Sequence, residues 1–300
     1  MSSTLNSAPQ AVAATSLSKV KDERLRTVKI IRPPSFSPFR LLAAVLELMK
    51  YRDLIFSLGV HRLKVRYRQS LLGWAWAVLQ PASLMLIYTV IFSVVTKIPS
   101  EDVPYSLFVY AALLPWTYFS TIVTTAATSL VKHTQLITKV YFPREILPMT
   151  YIIIGLFDFL IAALLLAAMM LYHGVRPSWF ALYLIPILLI VTAIGAALAL
   201  VFSALEVRFR DIGLAMPLLM QLWMFATPVV YPLSAVPARL RPYYILNPLA
   251  GPVENFRRVL LQHQAPDFAS LQTAAVIAAV ALPLAYLFFK HREASMADII

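Results

Sequence analysis

Cysteine is absent from all 300 residues, which excludes disulfides, thiolate metal sites and cysteine nucleophiles together. Charge is scarce as well: Asp, Glu, Lys and Arg make up 13% of the chain, against roughly 25% in an average soluble protein. Glycine is rarer still. The seven glycines lie at 59, 73, 155, 174, 195, 213 and 251, and no two are five positions apart. GxxxxGK[ST] is therefore missing, and with it a phosphate-cradling loop of that kind. HExxH and GxSxG are missing too. The chain is expected to bind no nucleotide or cofactor and no metal by itself, and to have no catalytic residue. Anything it moves uphill needs an ion gradient or a separate energy-supplying subunit.

What abounds is apolar. Hydrophobic residues are 60% of the chain and mean hydropathy is +0.75, too apolar for a soluble surface. A soluble enzyme, a coiled coil and a disordered chain are excluded. Stretches free or nearly free of charge predict helices over about 76–96, 106–130, 147–172, 180–204, 212–231 and 269–289; about 20 apolar residues cross about 30 Å of hydrocarbon. Lipid-facing barrel strands are about 10 residues long and alternate, which these stretches do not. The fold class is thus an all-α polytopic membrane protein with six transmembrane helices. The net charge of +12 is read as a topology signal rather than as affinity for nucleic acid. With the N-terminus inside, the inner segments 1–68, 132–145, 206–211 and 290–300 hold 20 of the 26 Lys and Arg residues. Positive-inside bias then puts both termini in the cytoplasm.

Residues 1–36 read as a disordered cytoplasmic tail, 37–68 as an interface helix with a basic connector, and 69–300 as the permease domain. Ser37-Pro38 opens an amphipathic helix carrying Arg40, Ala43, Glu47 and Lys50 on one face, set either in the headgroup plane or against the protein's own cytoplasmic face. His61–Arg68 alternates charged and apolar residues, and reads as a polybasic connector or short helix that touches anionic lipid. Asp158 is the acidic residue inside a span; it either lines a polar path or binds a neighbouring helix. Glu206, Arg208, Arg210 and Asp211 suggest a salt-bridged cytoplasmic turn.

Thr121, Thr124, Thr125, Thr128 and Ser129 share one side of the second span, either gluing helices together or facing a polar passage. Trp74 and Trp76 suit an interfacial belt, whereas Tyr88, Phe92, Phe119 and Phe225 lie deeper and suit either sugar stacking or core packing. With Trp116, Thr121 and Thr125 they are the candidates for lining a channel. Pro217, Pro228 and Pro232 interrupt the fifth span and its exit. The apolar segment that follows contains Tyr243, Tyr244 and Asn247-Pro248, with a short helix from Pro252 to Leu261. It reads as re-entrant helices between spans five and six.

Several of these segments carry a resemblance. Lys64–Pro81, Leu114–Ser120, Ser129–Pro148, Val207–Ile212, and Asn247-Pro248 with Glu254 and Arg257 resemble, in consistent order over about 37–300, ABC-2-type permeases that export cell-surface polysaccharides. The resemblance implies the membrane subunit of an O-antigen, capsule or teichoic-acid exporter of the bacterial inner membrane, built as a homodimer with two copies of a separate ATPase that binds ATP and Mg. A coupling segment would then hold Lys132, Gln135, Lys139, Tyr141, Phe142, Arg144 and Glu145. Lys64, Arg66 and Arg68 would face the pyrophosphate or headgroup of a lipid-linked glycan. Tyr243, Tyr244, Asn247, Glu254 and Arg257 would form an outer gate. A drug or small-lipid exporter and a membrane glycosyltransferase are the competing readings; the latter needs paired outer carboxylates, and Glu101, Asp102, Glu254 and Asp267 are scattered.

Overall fold

A computed structural model describes residues 49–68, 70–95, 103–139, 142–237 and 239–299. The expected tail at 1–36, the amphipathic positions Arg40, Ala43 and Glu47, and Tyr141, Glu101 and Asp102 lie outside the described residues. The described residues are mostly helical, without a strand. They run as α1 (Arg52–Arg68), α2 (Ala75–Tyr88, continued by π-helical turns over Thr89–Val95), α3 (Tyr105–Ala127), α4 (Ser129–Lys132) and α5 (Thr134–Lys139). Next come α6 (Ile146–Tyr172), α7 (Leu184–Glu206, entered by a 3-10 turn over Trp179–Tyr183), α8 (Asp211–Phe225), α9 (Arg241–Ile245), α10 (Ala250–Leu261) and α11 (Phe268–Ile299).

Five of these helices are long and apolar enough to cross a membrane: Ala75–Ser93, Tyr105–Ala127, Ile146–Tyr172, Trp179–Glu206 and Phe268–Glu293. The expected fifth span is shorter than predicted. Helix α8 has 15 residues, about 22 Å at 1.5 Å per residue against about 30 Å of hydrocarbon. Beyond Phe225 the chain runs through turns and bends from Ala226 to Tyr231, where Pro228 and Pro232 withhold the backbone N–H that a continuing helix needs.

Helix α3 is the axis of the packing, flanked by α2, α6, α7, α8 and α10. Its residues Leu107 to Leu114 are at most 1% exposed, so both lipid-like and core-like positions of this span face protein. Helix α6 runs antiparallel to it. Tyr110 donates its hydroxyl to the carbonyl of Ala162 at 3.0 Å, and farther along α3 the ring of Tyr118 and the side chain of Ile122 close on Gly155. Helix α8 presents Met216, Met220 and Met224, four residues apart, to this core, and leaves Leu214, Leu218 and Leu222 exposed.

The expected connector at His61–Arg68 is the second half of a 17-residue helix. Tyr51, Ile55, Gly59, Leu63 and Tyr67 recur every four residues and pack towards α6, while Val65, whose alternation suggested a strand, points out at 60% exposure. A Cβ on Gly59 would stand 3.3 Å from Ile153, so α1 and α6 approach closely there. Over residues 51–68 this helix therefore packs on the protein's own chain. Gly73, at φ +52°, supplies the left-handed residue in the turn from α1 into α2.

Candidate functional site

The segment between α3 and α6 folds as two short helices broken at Thr128 and His133. Lys132, Gln135, Thr138 and Lys139 are exposed along one side, while Leu136 and Ile137 on the opposite side pack on a cluster containing Leu130, Phe142, Ile146 and Leu147. A helix with its apolar side held down and its polar side free is suited to receive another protein.

Both ends of this segment are fastened. At its start, Tyr151 of α6 lies 3.4 Å from His133 Nε2, and the Arg62 guanidinium sits 4.9 Å above the Tyr151 ring. Burial, with Arg62 and Lys132 close by, pushes the His133 pKa down to about 4. At its end, Arg144 and Glu145 meet α11. Lys290 Nζ lies 2.7 Å from Glu145 Oε1 and 2.9 Å from Glu293 Oε2. Burial raises the Glu145 pKa, and Lys290 opposes that. Of the seven residues expected here, Lys132, Gln135 and Lys139 share the free face, Phe142 and Glu145 are buried, and Arg144 is half-buried; Tyr141 is outside the described residues.

Among Lys64, Arg66 and Arg68, all exposed in part, Arg66 already has a carboxylate. Its Nη1 donates to Asp158 Oδ2 at 2.8 Å, and the Tyr67 hydroxyl donates to the other oxygen at 2.7 Å. Trp74 stacks on Tyr67 (centroids 5.0 Å apart) and meets Phe157 at 4.6 Å. Beside this pair, Gln80, Thr117 and Thr121 help line a small cavity of about 50 Å³, room for a water or two. Asp158 thus binds a neighbouring helix, at the edge of a small polar cavity.

The channel candidates separate by burial. Trp116 (3% exposed) and Phe119 (0%) are core residues, meeting Trp223 edge-on at 6.5 and 5.3 Å. Tyr88 is buried and points its hydroxyl at Met224 Sδ, with Phe92 against its ring. Phe225 is 46% exposed. Thr121 and Thr125 are half-buried, and Thr125 returns its hydroxyl to the Thr121 carbonyl at 2.5 Å. Ser129 is fully buried. Trp116 and Phe119, occupied inside this chain, are unavailable to a ligand, whereas Phe225 is free.

The outer candidates are tightly bonded. Asn247 accepts from Trp223 Nε1 at 3.1 Å and from the Leu249 N–H at 3.1 Å, and donates to Ala226 O and Thr227 Oγ1 at 3.0 Å each. Arg257, 1% exposed, pairs with Glu254, donates to Pro228 O at 2.9 Å and lies 4.0 Å over the Phe108 ring. Tyr244 meets Tyr231 hydroxyl to hydroxyl at 2.7 Å, whereas Tyr243 is 69% exposed. Four of the five therefore hold α9 and α10 onto the end of α8 and the head of α3. Two residues with no expected role among these outer candidates belong here: Tyr105, which donates to Val230 O at 2.6 Å, and Trp223. Nothing in their spacing marks these partners.

The expected salt-bridged turn at 206–211 is organised differently. The Glu206 carboxylate turns onto the Gly213 N–H at 2.5 Å, a cap on the first turn of α8.

Residues 53–261 match the family model described as ABC-2 type transporter. The chain is similar to the O-antigen export system permease protein RfbA of Myxococcus xanthus, with 33% identity over 263 residues, 87% of this chain and 100% of that protein. It is also similar to the protein of the same name from Klebsiella pneumoniae, 30% identical over 71% of this chain and 84% of the relative. The polysialic acid transport protein KpsM of Escherichia coli is 24% identical over 80% of this chain and 93% of its own length.

Proposed function

This chain belongs to the ABC-2 type transporter family as a multi-pass membrane permease, and from that membership we propose that it is the membrane subunit of an ATP-driven exporter of a lipid-linked cell-surface polysaccharide, O-antigen before other cargoes. The observation that carries the reading is the alignment with a permease named for O-antigen export along that protein's whole length. The weaker likeness to KpsM favours capsule polymer as the second cargo.

In this reading two copies of the chain pair with two copies of a separate ATPase in the bacterial inner membrane, and ATP and Mg belong to the ATPase. The positive-inside count supports cytoplasmic termini, with α8 and the buried turns that follow it together making the sixth crossing that an even count needs. The face of Lys132, Gln135 and Lys139 on α4 and α5 takes up the ATPase movement. Lys64 and Arg68, exposed beside the first span, attract the pyrophosphate of the carrier lipid, and Arg66 contributes less because Asp158 neutralises it. The conduit forms where a second copy meets the exposed faces of α2 and α8, with Phe225 and the Thr121–Thr125 edge towards the glycan.

Deleting the gene from its native host tests this. The expected result is loss of surface polysaccharide with lipid-linked glycan accumulating on the cytoplasmic side, reversed by the gene in trans. Unchanged surface glycan would refute it.

A further inference from the structure

The polar cluster at the foot of α6 joins three parts of the chain. The Lys290 ammonium sits between the carboxylates of Glu145 and Glu293. Glu145, with its side chain 4% exposed, also accepts the Tyr286 hydroxyl at 3.3 Å. Arg144 donates its guanidinium to the Glu293 carbonyl at 2.5 Å and its N–H to Glu293 Oε1 at 3.3 Å. Phe289, fully buried, lies in the same apolar cluster as Ile146 and Leu147. Helix α11, which carries Lys290, packs along α7. The polypeptide leaving α5 is therefore bonded to the last helix as well as leading into α6.

Resting on the reading of 132–145 as the segment that receives the ATPase movement, we propose that Lys290 is a positioning residue for coupling. It holds Arg144 and Glu145 against α11, so that a displacement of α5 reaches α11 and α7 as well as α6. A lysine suits the task, because its compact ammonium has three donors and satisfies two carboxylates at once. A buried charge pair of this kind has few geometries available, so it transmits a displacement rather than absorbing it.

The test uses the full chain with its ATPase: surface polysaccharide per cell in the native host, and ATP hydrolysis by the same complex purified in nanodiscs. Lys290→Met is expected to lower surface polysaccharide about tenfold, with membrane-inserted protein and ATP hydrolysis kept within about twofold. Lys290→Arg is expected to retain export. If Lys290→Met fails to accumulate, Glu145→Gln with Lys290→Gln, which removes the buried carboxylate and leaves only the partly exposed Glu293 without its lysine, carries the same expectation. Export and hydrolysis falling in proportion to the protein present would show a packing role only and overturn the proposal. Wild-type export per ATP from Lys290→Met, while Lys139→Glu uncouples, would also overturn it and leave the coupling segment standing. If neither variant changes that ratio, the coupling segment itself is misread and the proposal falls with it.

Discussion

Arg66 and Asp158 are 92 residues apart in sequence and 2.8 Å apart in space, joining α1 to the middle of α6. Asp158 stands about 18 Å along its helix from Ile146, where an uncompensated carboxylate is costly. The pair is unequal, with the arginine side chain 43% exposed and the aspartate 16%. Arg66→Met is expected to destabilise the chain by about 1–3 kcal/mol, less than a fully buried pair would lose. Arg66→Met with Asp158→Leu is expected to regain most of that, because no charge is then left unpaired. Thermal unfolding in detergent, followed by size-exclusion chromatography, reads both.

At Gly213 the backbone of α8 passes so close to its neighbours that an added Cβ would lie 2.7 Å from Thr128 Cγ2 and 2.8 Å from Glu206 Oε1. Gly213→Ala is expected to cost about 1–3 kcal/mol through overpacking. Thr128→Ser removes the offending methyl and is expected to recover part of the loss in the double variant. The same unfolding measurement checks it.

His133 is expected to give the segment of α4 and α5 a pH dependence. Its folded pKa of about 4 lies below its ordinary 6.5, so between these values the unfolded chain binds more protons and stability falls as pH falls. Above about pH 6.5 this residue contributes no dependence. Hydrogen exchange over residues 129–139 is expected to quicken between pH 6.5 and pH 4.5 after correction for intrinsic rates, and His133→Gln is expected to remove that change.

Asn247 makes four hydrogen bonds to the exit of α8 and the start of α10. Asn247→Ala leaves several buried partners unsatisfied and is expected to cost about 2–3 kcal/mol. Tyr243→Ala, at an exposed side chain, is expected to change stability by less than about 0.5 kcal/mol. Unfolding temperatures of the two variants measured side by side test the contrast.

Five long helices could be read from the sequence because charge-free stretches of that length have one solution in lipid. The end of α8 could not. Thr227 to Val230 are buried like a span, yet they run through turns held by Arg257 and Asn247, and hydropathy does not distinguish a buried turn from a buried helix. In α1, alternation at Leu63, Val65 and Tyr67 masked the four-residue spacing that continues back to Tyr51. The aromatic candidates could not be sorted into core and free faces for a related reason. Trp116, Phe119 and Phe225 all lie on apolar helices, where polarity no longer marks which side faces protein. The exposed run at Lys132, Gln135 and Lys139 was legible because charge does mark a free face outside the membrane.

The most direct test of the account is transport in proteoliposomes holding this chain and its ATPase, with a labelled lipid-linked glycan in the outer leaflet and ATP supplied outside. Movement of the label to the vesicle lumen that requires both proteins and hydrolysable ATP is the result predicted. Equal movement without the ATPase, or ATP hydrolysis by this chain alone, would contradict it.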